Sequence, residues 1–262
     1  MMLIVDSGSM KTDWVVTQYG QLVQRIFTKG MNPYFLSEEE MESQFAEVAL
    51  PQLGFDKFDA VYFYGSGCTP QKVPVVSRIL ANHVKVTKTL EVNTDMLAAA
   101  RALCGHKSGI ACIMGTGSNS CYYDGKKIAN HILPLGYIVG DEGSGAVLGK
   151  LLVGELLKNQ WTPALKEKFL KQYELTPADI IERIYRQPFP NRFLASLSPF
   201  LAQNIHEPVV HDLVLNSFKA LLKRNVMQYD YRNNRVHLVG SVAYYYKETL
   251  MQAVKEWKGK RT

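Results

Sequence analysis

Two segments with the same pattern, far apart in the chain, constrain the fold more than any other feature of this sequence. Each is a short apolar strand that runs into a turn of glycine and hydroxyl residues, at residues 4–17 and 110–120. Such a turn offers backbone N–H groups to an anion, and Asp6 beside the first turn is suited to hold a cation. One segment alone is equally well explained as an ordinary β-hairpin with a small polar turn. Two of them predict related half-sites that close on one nucleotide.

Composition excludes several classes of protein. With 47% hydrophobic and 21% charged residues, the 262-residue chain has the composition of a globular protein with one large domain or two moderate ones. The net charge of +6 comes from scattered basic residues, so we predict no nucleic-acid partner. The four cysteines lack metal-binding spacing and are expected to be reduced. Without a leader peptide or a long apolar run, the chain is predicted to be cytoplasmic, with no membrane partner.

The order of elements predicts a mixed α/β fold that is repeated. Strands over residues 3–5, 14–19 and 22–28 form a meander, and helix, strand, helix, strand and helix follow. The meander pattern then restarts at residue 110, which places a domain boundary near residue 106. We therefore predict an N-terminal domain over 1–106 and a C-terminal domain over 107–262. Residues 150–234 are helix-rich but interrupted by prolines, and a last strand covers residues 236–239.

Asp95 and the segment 135–146 are candidates for the chemistry. Asp95 follows a strand and opens an alanine-rich helix, where an aspartate commonly serves only as an N-cap. The alternative is a general base that orients a hydroxyl group for phosphoryl transfer and accepts its proton. The segment 135–146 combines four glycines with Asp141 and Glu142. A helix N-terminus explains the acids but not the glycines, so Asp141 is a candidate ligand for sugar hydroxyls. Asn32 and Asn119 are similar candidates, although each alone is also typical of a turn.

Taken together, these segments resemble the BadF/BadG-type ATPase and N-acetylglucosamine kinase family of the actin-like, sugar-kinase and Hsp70 superfamily. The matching segments are residues 6–12, 93–95, 115–119, 140–144 and 240–242, in the family's order. The resemblance implies two ribonuclease-H-like lobes, each a mixed five-stranded sheet with flanking helices, and a cleft between them. It also implies that ATP and Mg²⁺ are used to phosphorylate the 6-hydroxyl of an N-acetylated amino sugar, either N-acetylglucosamine or N-acetylmuramic acid. A homodimer is expected only at the level of the family.

The resemblance assigns roles by position in this sequence. Asp95 looks like the catalytic base, and Asp6 looks like a ligand to Mg²⁺ through water. The residues implied to contact ATP are Gly8, Ser9, Met10, Lys11, Gly115, Thr116, Gly117, Gly240 and Ser241. The residues implied to contact the sugar are Asn32, Asp95, Ser118, Asn119, Gly136 and Asp141.

The sequence also departs from the family. Met10 stands where relatives usually have a threonine that meets the ATP phosphates, and methionine cannot donate that hydrogen bond. Relatives usually carry one more segment after the helix on the adenosine side, and its absence would be expected to weaken lobe docking and nucleotide binding. Two other functions stay open: an ATPase that activates a partner enzyme, as in the activator branch of the family, and a sensor of sugar or nucleotide without catalysis, which these departures suggest. The cysteines have no convincing counterpart to the iron–sulfur ligands of the activator branch.

Overall fold

The computed structural model describes residues 1–259 and divides the chain into two compact units. The first unit is Met1–Ala102, and the second starts at Leu103. The first unit contains β1 Met2–Ser7, β2 Lys11–Gln18, β3 Gln21–Lys29, α1 Glu38–Ser43, a π-helical segment Gln44–Ala49, α2 Leu50–Leu53, β4 Lys57–Gly65, α3 Val73–His83, β5 Lys85–Thr94 and most of α4 Asp95–Cys104. The division falls near the end of α4, a few residues before the boundary predicted at residue 106.

The first unit is built on a five-stranded mixed sheet in the order β3-β2-β1-β4-β5. The first three strands pair antiparallel, and β4 and β5 then extend the sheet in parallel with β1. Register places Asp6 opposite Tyr64, and Tyr64 opposite Asn93. The carboxyl ends of β1, β4 and β5 therefore meet at one edge of the sheet, where ligands collect in α/β folds.

One face of this sheet carries the apolar core of the first unit. Trp14 is fully buried and stacks on Phe45 with 5.3 Å between ring centroids, and its Nε1 donates to Thr28 Oγ1 at 2.9 Å. Phe45 comes from the helical segment that follows α1. The helix α1 starts where the sequence predicts, because Ser37 and Glu40 form a reciprocal capping box at its N-terminus.

The second unit is richer in helices than the first. Its elements are β6 Gly109–Met114, β7 Ser118–Tyr123, β8 Ile128–Ile132, α5 Gly136–Val139, α6 Gly145–Leu157, α7 Pro163–Tyr173, α8 Pro177–Tyr185, α9 Pro190–Leu197, α10 Pro199–Gln203, α11 Pro208–Arg224, a 3₁₀ turn Val226–Gln228, β9 Val236–Val239, α12 Ser241–Tyr245 and α13 Lys247–Gly259. Most of the prolines in this region begin helices rather than interrupt them, because proline lacks only an N–H that the first helical turn leaves unpaired.

The sheet of the second unit has the order β8-β7-β6-β9, with β9 parallel to β6. It repeats the arrangement of β3-β2-β1-β4 in the first unit, so the predicted internal repeat is confirmed. The sheet has four strands within residues 1–259 rather than the five predicted for each lobe. The helices α6 and α11 bury its core, in which Leu148, Phe200 and Phe218 are fully buried. None of the helices within residues 1–259 is long and apolar enough to cross a membrane.

Candidate functional site

Asp95 is the first residue of α4 and lies directly after the carboxyl end of β5. Its Oδ1 accepts a hydrogen bond from Thr94 Oγ1 at 3.1 Å, and Thr94 Oγ1 also accepts from the backbone N–H of Met96 at 3.3 Å. Thr94 therefore shares the N-capping role that the sequence left open for Asp95. Burial raises the pKa of Asp95 to about 6, and the charge of Asp6 adds to this effect, while the bond from Thr94 opposes it. Such a carboxylate can accept a proton near neutral pH.

Asp6 is the penultimate residue of β1 on the same sheet, and the predicted first phosphate loop, residues 6–12, leads from it into β2. Displacement of water by the surrounding protein raises the pKa of Asp6, Asp13 adds to the rise, and Lys11 lowers it. The backbone N–H of Gly8 donates to Lys11 O at 3.0 Å, so this N–H closes the turn. The Lys11 ammonium lies 4.6 Å from the centre of the Phe27 ring. Met10 is 55% exposed at the tip of the loop.

Gly30 supports the first phosphate loop from behind. Its N–H donates to Met10 O at 3.2 Å, and a Cβ at residue 30 would overlap the carbonyl oxygens of Gly8 and Ser9. Thr12, a hydroxyl residue of the same motif, is fully buried and bonds to Ser7 Oγ at 2.8 Å and to Lys29 O at 3.0 Å. The hydroxyl of Thr12 thus holds the hairpin together instead of facing a ligand.

Asn32 is almost fully buried in the loop after β3, where its Oδ1 accepts from Tyr34 N at 2.9 Å. Gly67, in the loop after β4, packs against this amide so closely that a Cβ would overlap Asn32 Oδ1. The φ of Gly67 is +79°, a second reason why this position favours glycine. Cys68 follows it, and burial with the nearby charge of Asp95 raises the pKa of the Cys68 thiol to about 12.

In the second unit, the turn 115–117 lies against the start of α6. Gly115 O accepts from Gly145 N at 2.8 Å, and Thr116 O accepts from Ala146 N at 3.0 Å. Gly117 lies so close to Asp141 that a Cβ would be 2.7 Å from Asp141 Oδ2. The predicted second phosphate loop and the acidic glycine loop before α6 are therefore one structural assembly.

Asp141 has a φ of +54°, which is uncommon for a residue with a side chain. Burial raises the pKa of Asp141 to about 6, and the charge of Glu142 contributes in the same direction. Backbone donors at Gly136 and Ser118 and the charge of Lys150 lower this pKa. Gly136 is the first residue of α5, and it lowers the pKa of Asp141 through its backbone N–H. Asp141 is thus, like Asp95, a carboxyl group whose pKa is raised by burial to about 6.

Ser118 and Asn119 begin β7 beside this loop. Ser118 Oγ donates to Glu142 O at 2.9 Å, which leaves its hydroxyl oxygen only as an acceptor for a ligand. Asn119 Oδ1 accepts from Ser120 N at 2.9 Å and lies 2.8 Å from His131 Nε2. With Oδ1 used in this way, the Nδ2 donors of Asn119 are the atoms left to offer to a ligand.

Gly240 and Ser241 connect β9 to α12. Gly240 has a φ of +115° and lies against Met114, at the end of β6, so closely that a Cβ would overlap the Met114 carbonyl oxygen. Ser241 is exposed as the first residue of α12. This junction follows the carboxyl end of β9, as the predicted second phosphate loop follows that of β6.

Several residues that shape these loops could not be identified from the sequence. Gly30 and Gly67 lie in segments that the sequence marks as glycine-rich, but only the fold shows what they contact. Arg224, at the end of α11, forms an ion pair with Glu142 across a large sequence separation, and no motif signals it. The predicted residues that lie at the carboxyl ends of parallel strands are Asp6 and the turn after it, Asp95, the turn 115–117 and Gly240 with Ser241. In contrast, Asn32 lies after β3, and Gly136 and Asp141 lie before α6.

Comparison with solved structures identifies the family. A protein from Porphyromonas gingivalis, provisionally assigned as an N-acetylglucosamine kinase, is 50% identical to this chain with a TM-score of 0.95. The match covers 98% of this chain and 92% of that one. The chain belongs to the N-acetylglucosamine kinase family. No family model matches the sequence. No curated protein matches it significantly.

More distant structures share the fold of this N-acetylglucosamine kinase family member. A protein from Chromobacterium violaceum, also provisionally assigned as an N-acetylglucosamine kinase, is 17% identical over 97% of this chain and 92% of that one, with a TM-score of 0.78. A ROK-family glucokinase from Streptomyces griseus, solved with glucose and AMPPNP, is 14% identical over 97% of this chain and 89% of that one, with a TM-score of 0.64. The predicted actin-like sugar-kinase fold is therefore confirmed.

Proposed function

We propose that this chain is an ATP-dependent kinase that phosphorylates the 6-hydroxyl of an N-acetylated amino sugar, N-acetylglucosamine or N-acetylmuramic acid. The observation that carries the proposal is Asp95, a carboxylate with a raised pKa at the carboxyl end of β5 in a member of the N-acetylglucosamine kinase family. The assignment of the relative from Porphyromonas gingivalis supports the class of sugar.

Asp95 acts as the general base. Its carboxylate accepts a hydrogen bond from the sugar hydroxyl and takes the proton as that oxygen bonds to the γ-phosphorus of ATP. The bond between the γ-phosphorus and the oxygen that bridges to the β-phosphorus breaks, and ADP leaves with those electrons. A pKa of about 6 leaves Asp95 ionised at neutral pH but more basic than an ordinary aspartate.

Backbone and hydroxyl groups at the strand ends bind ATP. In this proposal the turn 8–11 and the turn 115–117 hold the phosphates, with the side chain of Lys11 as a cation and Thr116 as a hydroxyl donor. The exposed side chain of Met10 cannot donate a hydrogen bond, so its contribution is confined to the backbone. Gly240 and Ser241 support the adenosine, and the absence of a side chain at residue 240 lets this backbone pack closely against Met114.

The residues of the first unit fit Mg²⁺. Asp6 is an exposed carboxylate at the end of β1, and oxygen is the ligand atom that Mg²⁺ prefers. No cluster of three metal-binding side chains occurs within residues 1–259, which suits an ion that is bound through one carboxylate, water and nucleotide phosphates. The ion supplies charge that stabilises the transferred phosphoryl group.

The sugar is bound by Asn32, Ser118, Asn119, Gly136 and Asp141 together with Asp95. Asp141, ionised at neutral pH, accepts hydrogen bonds from sugar hydroxyls, whereas Asn119 donates through Nδ2. Ser118 accepts, because its own proton is used by Glu142 O. Asn32 is held by Tyr34 N and by contact with Gly67, so it offers a fixed amide. Within each unit these donors and acceptors are ordered before binding, which favours a polyhydroxylated ligand.

The proposal is tested by ADP formation with Mg²⁺ and a panel of sugars, with Asp95→Asn as the variant. We expect turnover with N-acetylglucosamine or N-acetylmuramic acid, none with the 6-deoxy analogue, and a loss of roughly 10²-fold to 10⁴-fold in kcat for Asp95→Asn. Asp56→Asn is the matched control, because Asp56 is exposed and precedes β4 at the opposite edge of the same sheet. Wild-type turnover in Asp95→Asn would remove Asp95 from the role of base.

The same assay separates the other two functions. ADP release that does not depend on sugar would indicate an ATPase that acts on a partner. Sugar binding in calorimetry without turnover at any ATP concentration would indicate a sensor, and the exposed Met10 would then be the first residue to examine, through Met10→Thr.

A further inference from the structure

The loop 140–144 is held in an unusual conformation by groups from distant parts of the second unit. Asp141 and Gly143 both have positive φ, of +54° and +73°. Because an aspartate seldom adopts such a φ without restraint, its surroundings must hold the loop. Ser118 Oγ donates to Glu142 O at 2.9 Å, and Gly143 N donates to Ser217 Oγ at 3.1 Å. These two bonds hold the carbonyl oxygen and the N–H of one peptide group, the one that joins Glu142 to Gly143.

The Glu142 side chain provides a third restraint. Its Oε1 lies 2.5 Å from Arg224 Nη1, and its Oε2 accepts from Asn225 Nδ2 at 3.3 Å. The Glu142 side chain is only 12% exposed, whereas that of Arg224 is 57% exposed. Among the side chains of residues 1–257, Oε1 has no partner other than Arg224. Without Arg224, an almost buried carboxylate loses its countercharge, which is unfavourable unless the side chain moves or is protonated.

Space for such a movement exists. Glu142 and Ser217 line a groove of about 620 Å³ between α6 and α11. A Glu142 side chain released from Arg224 can turn into this groove and become hydrated. Because Glu142 is bonded directly to Asp141 in the chain, loss of the contacts of its side chain would leave the backbone at Asp141 with fewer restraints.

We propose that Arg224 is a positioning residue that acts through Glu142 to hold Asp141 in the conformation that binds the sugar. The proposal deepens the function proposed above and rests on it for the role of Asp141. The pair of Glu142 and Arg224 differs from an ordinary surface ion pair, which contributes little. Glu142 is almost buried, and it lies in the loop that carries Asp141, the proposed sugar ligand.

The ion pair of Glu142 and Arg224 also affects the pKa of Asp141, in addition to holding its loop. The groups that face Asp141 are the Glu142 carboxylate, the Lys150 ammonium and the backbone donors of Gly136 and Ser118. The charge of Glu142 raises the pKa of Asp141, and Arg224 partly neutralises that charge. Removal of Arg224 should therefore raise the pKa of Asp141 further, whereas Glu142→Gln should lower it.

The first experiment needs no ligand and no activity. Hydrogen exchange of the amides of Gly143 and Ser144 is compared in the wild type, Arg224→Ala, Arg224→Lys and Arg232→Ala. Arg232 is exposed in the same unit, so its replacement removes the same charge without touching the loop. We expect faster exchange only in Arg224→Ala, with Arg224→Lys closer to the wild type. Equal protection in Arg224→Ala and Arg232→Ala would overturn the proposal, even if the protein proved not to be a sugar kinase.

The second experiment measures sugar affinity against pH by calorimetry in the Asp95→Asn background, which removes the titration of Asp95. We expect Arg224→Ala to weaken binding roughly tenfold to a hundredfold and to move the loss of binding to higher pH. Glu142→Gln should move it to lower pH, and Arg232→Ala should leave it unchanged. A purely structural defect would not move the two variants in opposite directions, so shifts of the same sign would overturn the proposal.

Discussion

At the scale of residues, the ionised forms of Asp95 and Asp141 oppose the stability of the fold. Burial raises the pKa of both carboxyl groups from the ordinary value of 3.8 to about 6. Between about pH 4 and pH 6 these two groups therefore bind more protons in the folded chain than in the unfolded chain. The contribution of Asp95 and Asp141 to stability falls as pH rises through this range, because each group must ionise in a site that disfavours the charge. Above pH 6 the cost is fully present.

Replacement of Asp95 by asparagine should therefore stabilise the protein at pH 8 while it removes activity. Asparagine keeps an oxygen that accepts from Thr94 Oγ1 but carries no charge. We expect the free energy of unfolding in urea to rise by about 1–3 kcal/mol at pH 8, and the gain to vanish near pH 4. Asp56→Asn, at an exposed position, should give no comparable gain. A variant less stable than the wild type at pH 8 would contradict this account.

The sequence predicts such residues unevenly. Asp95 and Asp141 could be singled out because a carboxylate after a strand or within a glycine-rich loop is visible locally. The contact of Gly30 with the loop 8–10, and that of Arg224 with Glu142, join segments that are distant in the chain. Their side chains carry no local signal, since glycine and an exposed arginine occur in many other contexts. The roles assigned to the site residues stay predictions until ligands are bound.

At the scale of elements, the loops after β3 and β4 are fitted to each other. Asn32 and Gly67 touch through an amide oxygen and a backbone that has no room for a side chain. Gly54, at the end of α2, has a similar φ of +70°, but no atom lies within 4 Å of a Cβ placed there. A comparison of alanine at residues 67 and 54 therefore separates the free-energy cost of a positive φ from the cost of steric overlap.

Gly67→Ala should lower both stability and affinity for the sugar more than Gly54→Ala. Each change places alanine at a positive φ, which costs about 1–2 kcal/mol. Only Gly67→Ala also displaces Asn32, a proposed sugar ligand, so the Kd for the sugar should rise only in that variant. Urea unfolding and calorimetry measure the two effects. Equal stabilities and equal Kd values in the two variants would show that the contact with Asn32 is unimportant.

Local patterns predict most elements of the first unit. Alternation and apolar runs marked β1 to β4, and the capping box marked α1. In contrast, β5 begins at Lys85, earlier than predicted, because its first half is an exposed, charged edge of the sheet that lacks an apolar signal. The prolines of the second unit were predicted as interruptions, yet most of them start helices. A proline predicts only that a helix does not continue through it. Contacts with neighbouring elements decide whether a helix begins at that proline.

At the scale of the whole molecule, the two units repeat one strand order, and each carries one carboxylate with a pKa of about 6. Asp95 belongs to the first unit and Asp141 to the second. In the proposed mechanism Asp95 must be ionised to accept the proton, and Asp141 must be ionised to accept hydrogen bonds from the sugar. The activity should then depend on the loss of two protons rather than one.

The acid limb of the pH profile should therefore be steep. With Mg²⁺ and ATP saturating, we expect log(kcat/KM) for the sugar to fall below about pH 6 with a slope that approaches two, because protonation of either carboxyl group blocks a different step. Asp141→Asn should bind the sugar more weakly but keep measurable turnover, and its acid limb should have a slope of one, since only Asp95 then titrates. Asp124→Asn, at an exposed turn of the same unit, is the control and should keep the wild-type slope. A slope of one in the wild type would mean that only one of the two carboxyl groups must be ionised, and Asp141→Asn would show which: an unchanged limb leaves Asp95 alone as the titrating group.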